Sequence, residues 1–181
     1  MYSLLLRFDD DLAREAREIG CTCGGRLDVA DYPRKPRGGP EGLDDNYNRR
    51  RSFCCAVDGC RKRCTPPSVR FLGRRVYFAA VNVLVAAMLH GPTRRRVSEL
   101  AALLGVNRRT LARWRRWWTA VFAASRFWRG AKARFASDID EAEIPRSLFM
   151  AVGDVDEATL IAILRFLAPI STNPWLEASA A

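Results

Sequence analysis

The spacing of hydrophobic residues changes several times along the chain. In the front third, apolar side chains alternate or bunch over only a few residues, at 26–32, 51–56 and 68–71. Such runs, bounded by Gly, Pro and Asn, predict short strands. From 74 to 89 the pattern is almost wholly apolar: Val76, Ala80, Val83 and Ala87, with Val85 and Leu89, leave hardly any polar face. That predicts a helix covered by neighbours on most sides and ended at Gly91-Pro92. The run from Val76 to Leu89 includes Asn82 and is too short to span a bilayer. Near the end, Leu148, Phe149 and Val152, then Leu160, Ile161, Ile163, Leu164, Phe166 and Leu167, predict two short amphipathic helices at 146–152 and 156–167.

Between these blocks, residues 97–118 keep a helical period that breaks once, at Gly105. Ser98 is placed to cap a short helix running to Leu104, and Gly105 suits the left-handed residue that ends it. Val106 turns inward, Asn107 can cap, and Arg108 begins a second helix. Leu100, Leu104, Val106, Leu111 and Trp114 form a shared core, and small Ala101 lets the two helices approach. Their offsets from Gly105, −5, −1, +1, +6 and +9 with Ala101 at −4, match the pattern of a helix-turn-helix. Trp118 continues the inward row. Asn107, Arg108, Arg109, Ala112, Arg113 and Arg116 are then left facing out.

Charge sharpens this picture. The 181 residues carry 30 Lys+Arg against 20 Asp+Glu, a net +10. All but Lys35, Lys62 and Lys132 of the cations are arginines, which suit bidentate phosphate and guanine contacts. Residues 74–136 hold 14 cations and 1 acid, whereas residues 137–181 hold 2 and 8. So lopsided a block favours a polyanion, nucleic acid or an anionic membrane, over a neutral partner. One histidine, His90, excludes chemistry that needs two. The first residues show a short apolar run without a basic leader or a small-residue cleavage site, so a reducing, cytoplasmic setting is expected.

In that setting six cysteines read as metal ligands more readily than as disulfides. They fall in two clusters, Cys21-Thr-Cys23-Gly-Gly and Cys54-Cys55-Ala-Val-Asp-Gly-Cys60-Arg-Lys-Arg-Cys64. Two short turns that each supply a thiolate pair form a zinc ribbon, with Gly after a cysteine letting the backbone curl toward the ion. Adjacent cysteines on a strand face opposite ways, so only one of Cys54 and Cys55 reaches the metal. Cys21, Cys23, Cys55 and Cys60 are the expected zinc ligands, Cys54 is expected to be buried, and Cys64 is the reserve. A closed four-thiolate site holds a fold and does no chemistry.

The segment 32–46 contains Pro33, Pro36 and Pro40 with Gly38, Gly39 and Gly42. It predicts an extended loop carrying Arg34, Lys35 and Arg37, either a plain ribbon tip or an arm able to lie in a minor groove. A second basic run, Arg49-Arg50-Arg51, precedes the second cysteine cluster.

An N-terminal cysteine ribbon followed by a helix-turn-helix resembles the DNA-binding front half of bacterial insertion-sequence transposases. The runs Gly24-Gly-Arg26, Asp31-Tyr-Pro-Arg-Lys-Pro-Arg-Gly38, Arg51-Ser-Phe-Cys-Cys55, Gly59-Cys-Arg61 and Pro66-Pro-Ser-Val-Arg-Phe-Leu-Gly-Arg-Arg-Val-Tyr77 are similar to small proteobacterial proteins of this kind. The likeness covers residues 20–125 and departs at the first cysteine pair, which is C-x-C and not C-x-x-C. The 52 residues after Arg129 offer two short helices and no strand-borne Asp. They do not match the ribonuclease-H-like catalytic part of such enzymes. The resemblance therefore implies accessory or regulatory work at a mobile element without strand transfer, beside a transposase or another mobile-element protein.

The expected fold is mainly α with a small β zinc ribbon and a helix-turn-helix bundle. Its expected segments are 1–19, a ribbon at 20–73, the helix-turn-helix domain at 74–136 and an acidic helical tail at 137–181. The tail is expected to pack on the 74–89 helix; its alternative use is a homodimer or partner surface. The expected function is sequence-specific binding of double-stranded DNA, with no enzymatic activity and no membrane partner. The alternatives are an RNA-binding or scaffolding zinc module, or a truncated, non-catalytic transposase.

Overall fold

A computed structural model describes residues 2–34, 45–71, 93–135, 138–154 and 156–172. The apolar run at 74–89 lies outside the described residues. Those described are mainly helical with a small antiparallel sheet, and none of their helices is long and apolar enough to cross a membrane.

Leu4, Leu5, Phe8, Leu12, Ala13 and Ala16 recur at helical spacing, and they make α1 (Tyr2–Ile19) amphipathic. Leu4, Leu5, Phe8 and Leu12 join a large aromatic core, whereas Ala13 and Ala16 lie under the cysteine cluster. One helix therefore serves both halves of the molecule. It ends at Gly20, whose φ of +77° needs a residue without a side chain.

Five short strands follow: β1 (Leu27–Val29), β2 (Tyr32–Pro33), β3 (Arg49–Arg50), β4 (Phe53–Cys55) and β5 (Arg63–Cys64). They form an antiparallel sheet in the order β1-β4-β5, with Leu27 opposite Cys55 and Phe53 opposite Cys64, and a separate β2–β3 ladder. The third strand is thus Arg63–Cys64 and not residues 68–71. The Ser68 and Val69 N–H groups donate to Ser171 Oγ and Asp9 Oδ1, at 2.8 and 2.7 Å, so side chains take the place of a ladder partner.

Asp9 is the hub of that arrangement. Its carboxylate accepts from Ser68 Oγ at 2.6 Å, from Val69 N and from Arg70 Nε at 2.7 Å. Arg70 in turn donates to the Asn46, Tyr47 and Arg49 carbonyls. Both members of the pair are buried. Each is fully engaged, which is what makes an ion pair tolerable out of water. The basic run at 49–51 is largely structural too: Arg50 is buried, and Arg51 bonds Asp10 and Asp31.

Next come α2 (Arg94–Leu103) and α3 (Arg108–Arg116). α2 starts at Arg94, ahead of the expected cap Ser98, because Thr93 Oγ1 accepts from Arg96 N. Ser98 instead accepts from Arg108 Nη2 at 2.7 Å and ties the two helices together. The connection is as expected: Gly105 has φ +58°, Val106 N donates to Ala101 O, and Asn107 Oδ1 caps α3 from Arg109 N. Val106, Leu111 and Trp114 are buried there with Phe71, flanked by Leu100, Ala101, Leu104, Val97 and Tyr47.

α3 runs into a wide π-type turn over Trp117–Phe122, in which Ala123 N donates five residues back to Trp118 O. The extra residue in the turn lets both Trp117 and Trp118 face inward, their rings 4.7 Å apart edge to face. α4 (Arg126–Ala131), α5 (Arg146–Val152) and α6 (Glu157–Leu167) complete the helical body, with Ser125 and Asp156 capping α4 and α6. The large core draws Leu5, Val69, Trp117, Trp118, Phe122, Trp128, Leu148, Phe149 and the inner row of α6 into one cluster. The tail helices thus supply much of that core, packed beside α1 and the tryptophan turn.

Candidate metal centre and candidate nucleic-acid interface

The sulfurs of Cys21, Cys23, Cys55 and Cys60 all lie within 4.8 Å of one another. Cys21 Sγ is 3.7 Å from Cys60 Sγ, and Cys23 Sγ is 3.5 Å from Cys55 Sγ. A tetrahedral ion with metal–sulfur bonds of about 2.3 Å sets its sulfurs about 3.8 Å apart, so the cluster fits a bound metal. These are the four residues expected from the sequence.

Each pair rests on a tight turn. In the first, Gly24 N donates to Cys21 O, Cys21 N donates to Gly25 O, and Gly24 has φ +81°. In the second, Cys60 N and Arg61 N both donate to Val57 O, and Gly59 has φ +85°. Gly25 is there for space. A Cβ on it would stand 2.5 Å from Val57 Cγ2, 2.8 Å from Cys55 Sγ and 3.3 Å from Cys23 Sγ. Leu27, Phe53 and Cys55 close the floor with Ala13 of α1.

Cys54 is half-buried, not buried as expected, and its thiol faces the Arg61 carbonyl at 3.4 Å, away from the cluster. Cys64 packs at the rim of the core below the site and is not one of the four. Mutual electrostatics favour a cation among the thiols. Cys21 is lowered to about 6, chiefly by the Cys23 backbone N–H. Cys55 is pushed up to about 12, because burial and the neighbouring thiols outweigh the Val57 N–H. Four thiolates this close repel one another, and a divalent ion at the centre removes that repulsion.

The second feature is the outer face of α3. Asn107, Arg108, Arg109, Ala112, Arg113 and Arg116 are all exposed, as the inward anchoring of Leu111 and Trp114 requires. Asn107 spends its side-chain oxygen on the cap, Arg108 reaches back to Ser98, and Arg113 Nη2 donates to Thr110 Oγ1 at 3.1 Å. Arg108, Arg115, Arg116, Thr119 and Ala112 line an open cleft of about 680 Å³ floored by Val97 and Leu111 and bounded by Ala142.

The sequence reading missed Arg115 and the exposed Arg94, Arg95 and Arg96 on the first turn of α2. With Ser98 taken as the cap, that run of arginines falls in a preceding loop, so its place on the helix could not be seen. Across α2 and α3, eight exposed arginines face one carboxylate, Glu99, which pairs with Arg95 at 2.8 Å.

Arg34 sits at the end of β2 with its guanidinium 5.3 Å from the centre of the Phe71 ring, against the core that carries α3. Lys35 and Arg37 lie outside the described residues. Comparison with protein-family models, curated proteins and solved structures gave no match.

Proposed function

We propose that this protein binds double-stranded DNA sequence-specifically through α3, with α2 and α3 acting as a helix-turn-helix and the four-cysteine site holding structural zinc. One observation carries the reading. α3 buries Leu111 and Trp114 and turns a face of exposed arginines outward, and α2 and α3 together carry one acid, Glu99, which pairs with Arg95. A helix anchored in this way offers the shape that a major groove admits, and Arg is the side chain that pairs bidentately with guanine.

Zinc is the metal favoured by four soft thiolate ligands in a tetrahedron, and a site without an open position does no chemistry. The reading is therefore of a binding protein and not an enzyme, acting in the cytoplasm on the bacterial nucleoid. Its likeness to the front half of insertion-sequence transposases supports an accessory or regulatory role at a mobile element, beside a transposase or as a homodimer.

Selection of bound sequences from a random duplex library tests the reading. One preferred site is expected, bound with a log–log salt slope of roughly −4 to −5 for some five phosphate contacts. A flat selection, or tighter binding to RNA than to duplex DNA, contradicts it.

A further inference from the structure

The cations of the ribbon sort into two sets. Arg26 pairs with Asp28 at 2.9 Å, Arg51 is held between Asp10 and Asp31, and Arg50 and Arg70 are buried. Arg61, Lys62 and Arg63 are exposed instead, and among the described residues none of them pairs with a carboxylate. The exposed acid nearest in the chain is Asp58, in the same turn.

These three residues stand on a fixed backbone. Arg61 has φ +44° and donates its N–H to Val57 O, Lys62 O accepts from Cys55 N at 2.9 Å, and Arg63 lies in β5 opposite Cys54. The strip is therefore rooted in the metal centre. It also continues toward α3. The Arg63 guanidinium lies 5.8 Å from the centre of the Tyr32 ring, Tyr32 begins β2, and the next pair of that ladder brings in exposed Arg49. Arg34 follows on β2 and stacks over Phe71, which packs with Leu111 and Trp114 of α3.

We propose that Arg61, Lys62 and Arg63 form a phosphate-binding strip that holds the backbone of the same duplex whose bases α3 reads. The inference rests on the duplex-binding reading above. Charges presented from a rigid turn lose little freedom on contact. Side chains that reach phosphates and no base edge supply attraction and no sequence discrimination. The metal centre thereby acquires a binding role, since it fixes the turn that presents the strip.

The test uses the whole metal-loaded protein and its R61Q/K62Q/R63Q variant. Each is titrated over a range of salt with the selected duplex and with a scrambled duplex. Losing three phosphate contacts should flatten the log–log salt slope by about 2–3 and weaken both duplexes by the same factor. Metal content should match the parent. If the triple variant loses its metal, K62E alone, which keeps the Arg61 backbone and the Arg63–Tyr32 contact, should weaken both duplexes equally. An unchanged slope in a metal-loaded variant overturns the strip and leaves the α3 reading standing. A loss confined to the selected duplex also overturns it. A parent protein that binds no duplex at all overturns the α3 reading and the strip together.

Discussion

Among the described residues the buried apolar side chains beneath the cysteine cluster are Ala13, Leu27, Phe53 and Cys55, whereas the helical body buries sixteen, among them three tryptophans. The two regions are comparable in their number of elements and opposite in what holds them. Strands of two or three residues and a floor of one Leu and one Phe cannot offset the entropy of ordering two knuckles, so the ribbon is expected to depend on a metal held by the four cysteines. The helical body interlocks Trp117, Trp118, Phe122 and Trp128 at ring separations of 4.7 to 5.7 Å and depends on packing. The lesson is a division of labour. The packed region can hold α3 rigidly without a ligand, while on the proposed reading a metal at the four cysteines places charged turns where a packed core of that size could not.

Removing metal should separate the behaviour of the two regions most strongly. Chelation, or Cys60→Ser, should abolish the amide protection of β1–β5 and leave that of α2–α6 standing, as read by amide exchange. Elemental analysis should find one zinc per chain in the native protein. A ribbon that keeps full protection without metal would remove the distinction.

Next in size are substitutions inside the packed part and at the junction. Trp114→Ala should cost about 3–5 kcal/mol of stability, read by chemical denaturation, because its 1% exposed indole fills the core under α3. Asp9→Ala tests the join between the regions. It strands the buried Arg70 guanidinium without its carboxylate and frees the Ser68 and Val69 donors, at about 3–5 kcal/mol. Unlike Cys60→Ser, neither should release the metal from the folded protein.

Smaller effects should fall on binding alone. Arg113→Ala should cost about 1–3 kcal/mol on the preferred duplex and relax the choice at one or two base pairs. Arg116→Ala, one turn further along α3, should weaken all duplexes alike, visible as a shallower salt slope by about one contact.

In both regions, what the sequence revealed followed how local the deciding interactions are. The α2–α3 connection was legible nearly residue by residue, because helical period, Gly105 and a capping Asn act locally. The ligand set was legible for a similar reason: Cys54 and Cys55 alternate on β4, so one of them had to turn away. The third strand was not, since residues 68–71 look strand-like until Asp9, some sixty positions earlier, takes the Val69 N–H and the Ser68 hydroxyl, and Ser171 takes the Ser68 N–H. α1 was hidden in the same way. Asp9, Asp10 and Asp11 interrupt its apolar row, yet Asp9 faces inward to meet Arg70. The arginines of 49–51 could not be sorted from sequence into buried, paired and exposed, because that depends on carboxylates brought in by α1 and by Asp31.

If the outer face of α3 reads base sequence, repeating the duplex selection with R109A and R113A will show it. Each folded, metal-loaded variant should still bind duplex DNA, and at least one should lose discrimination at one or two positions of the preferred site. Selections that return the parent site unchanged from both variants would contradict it.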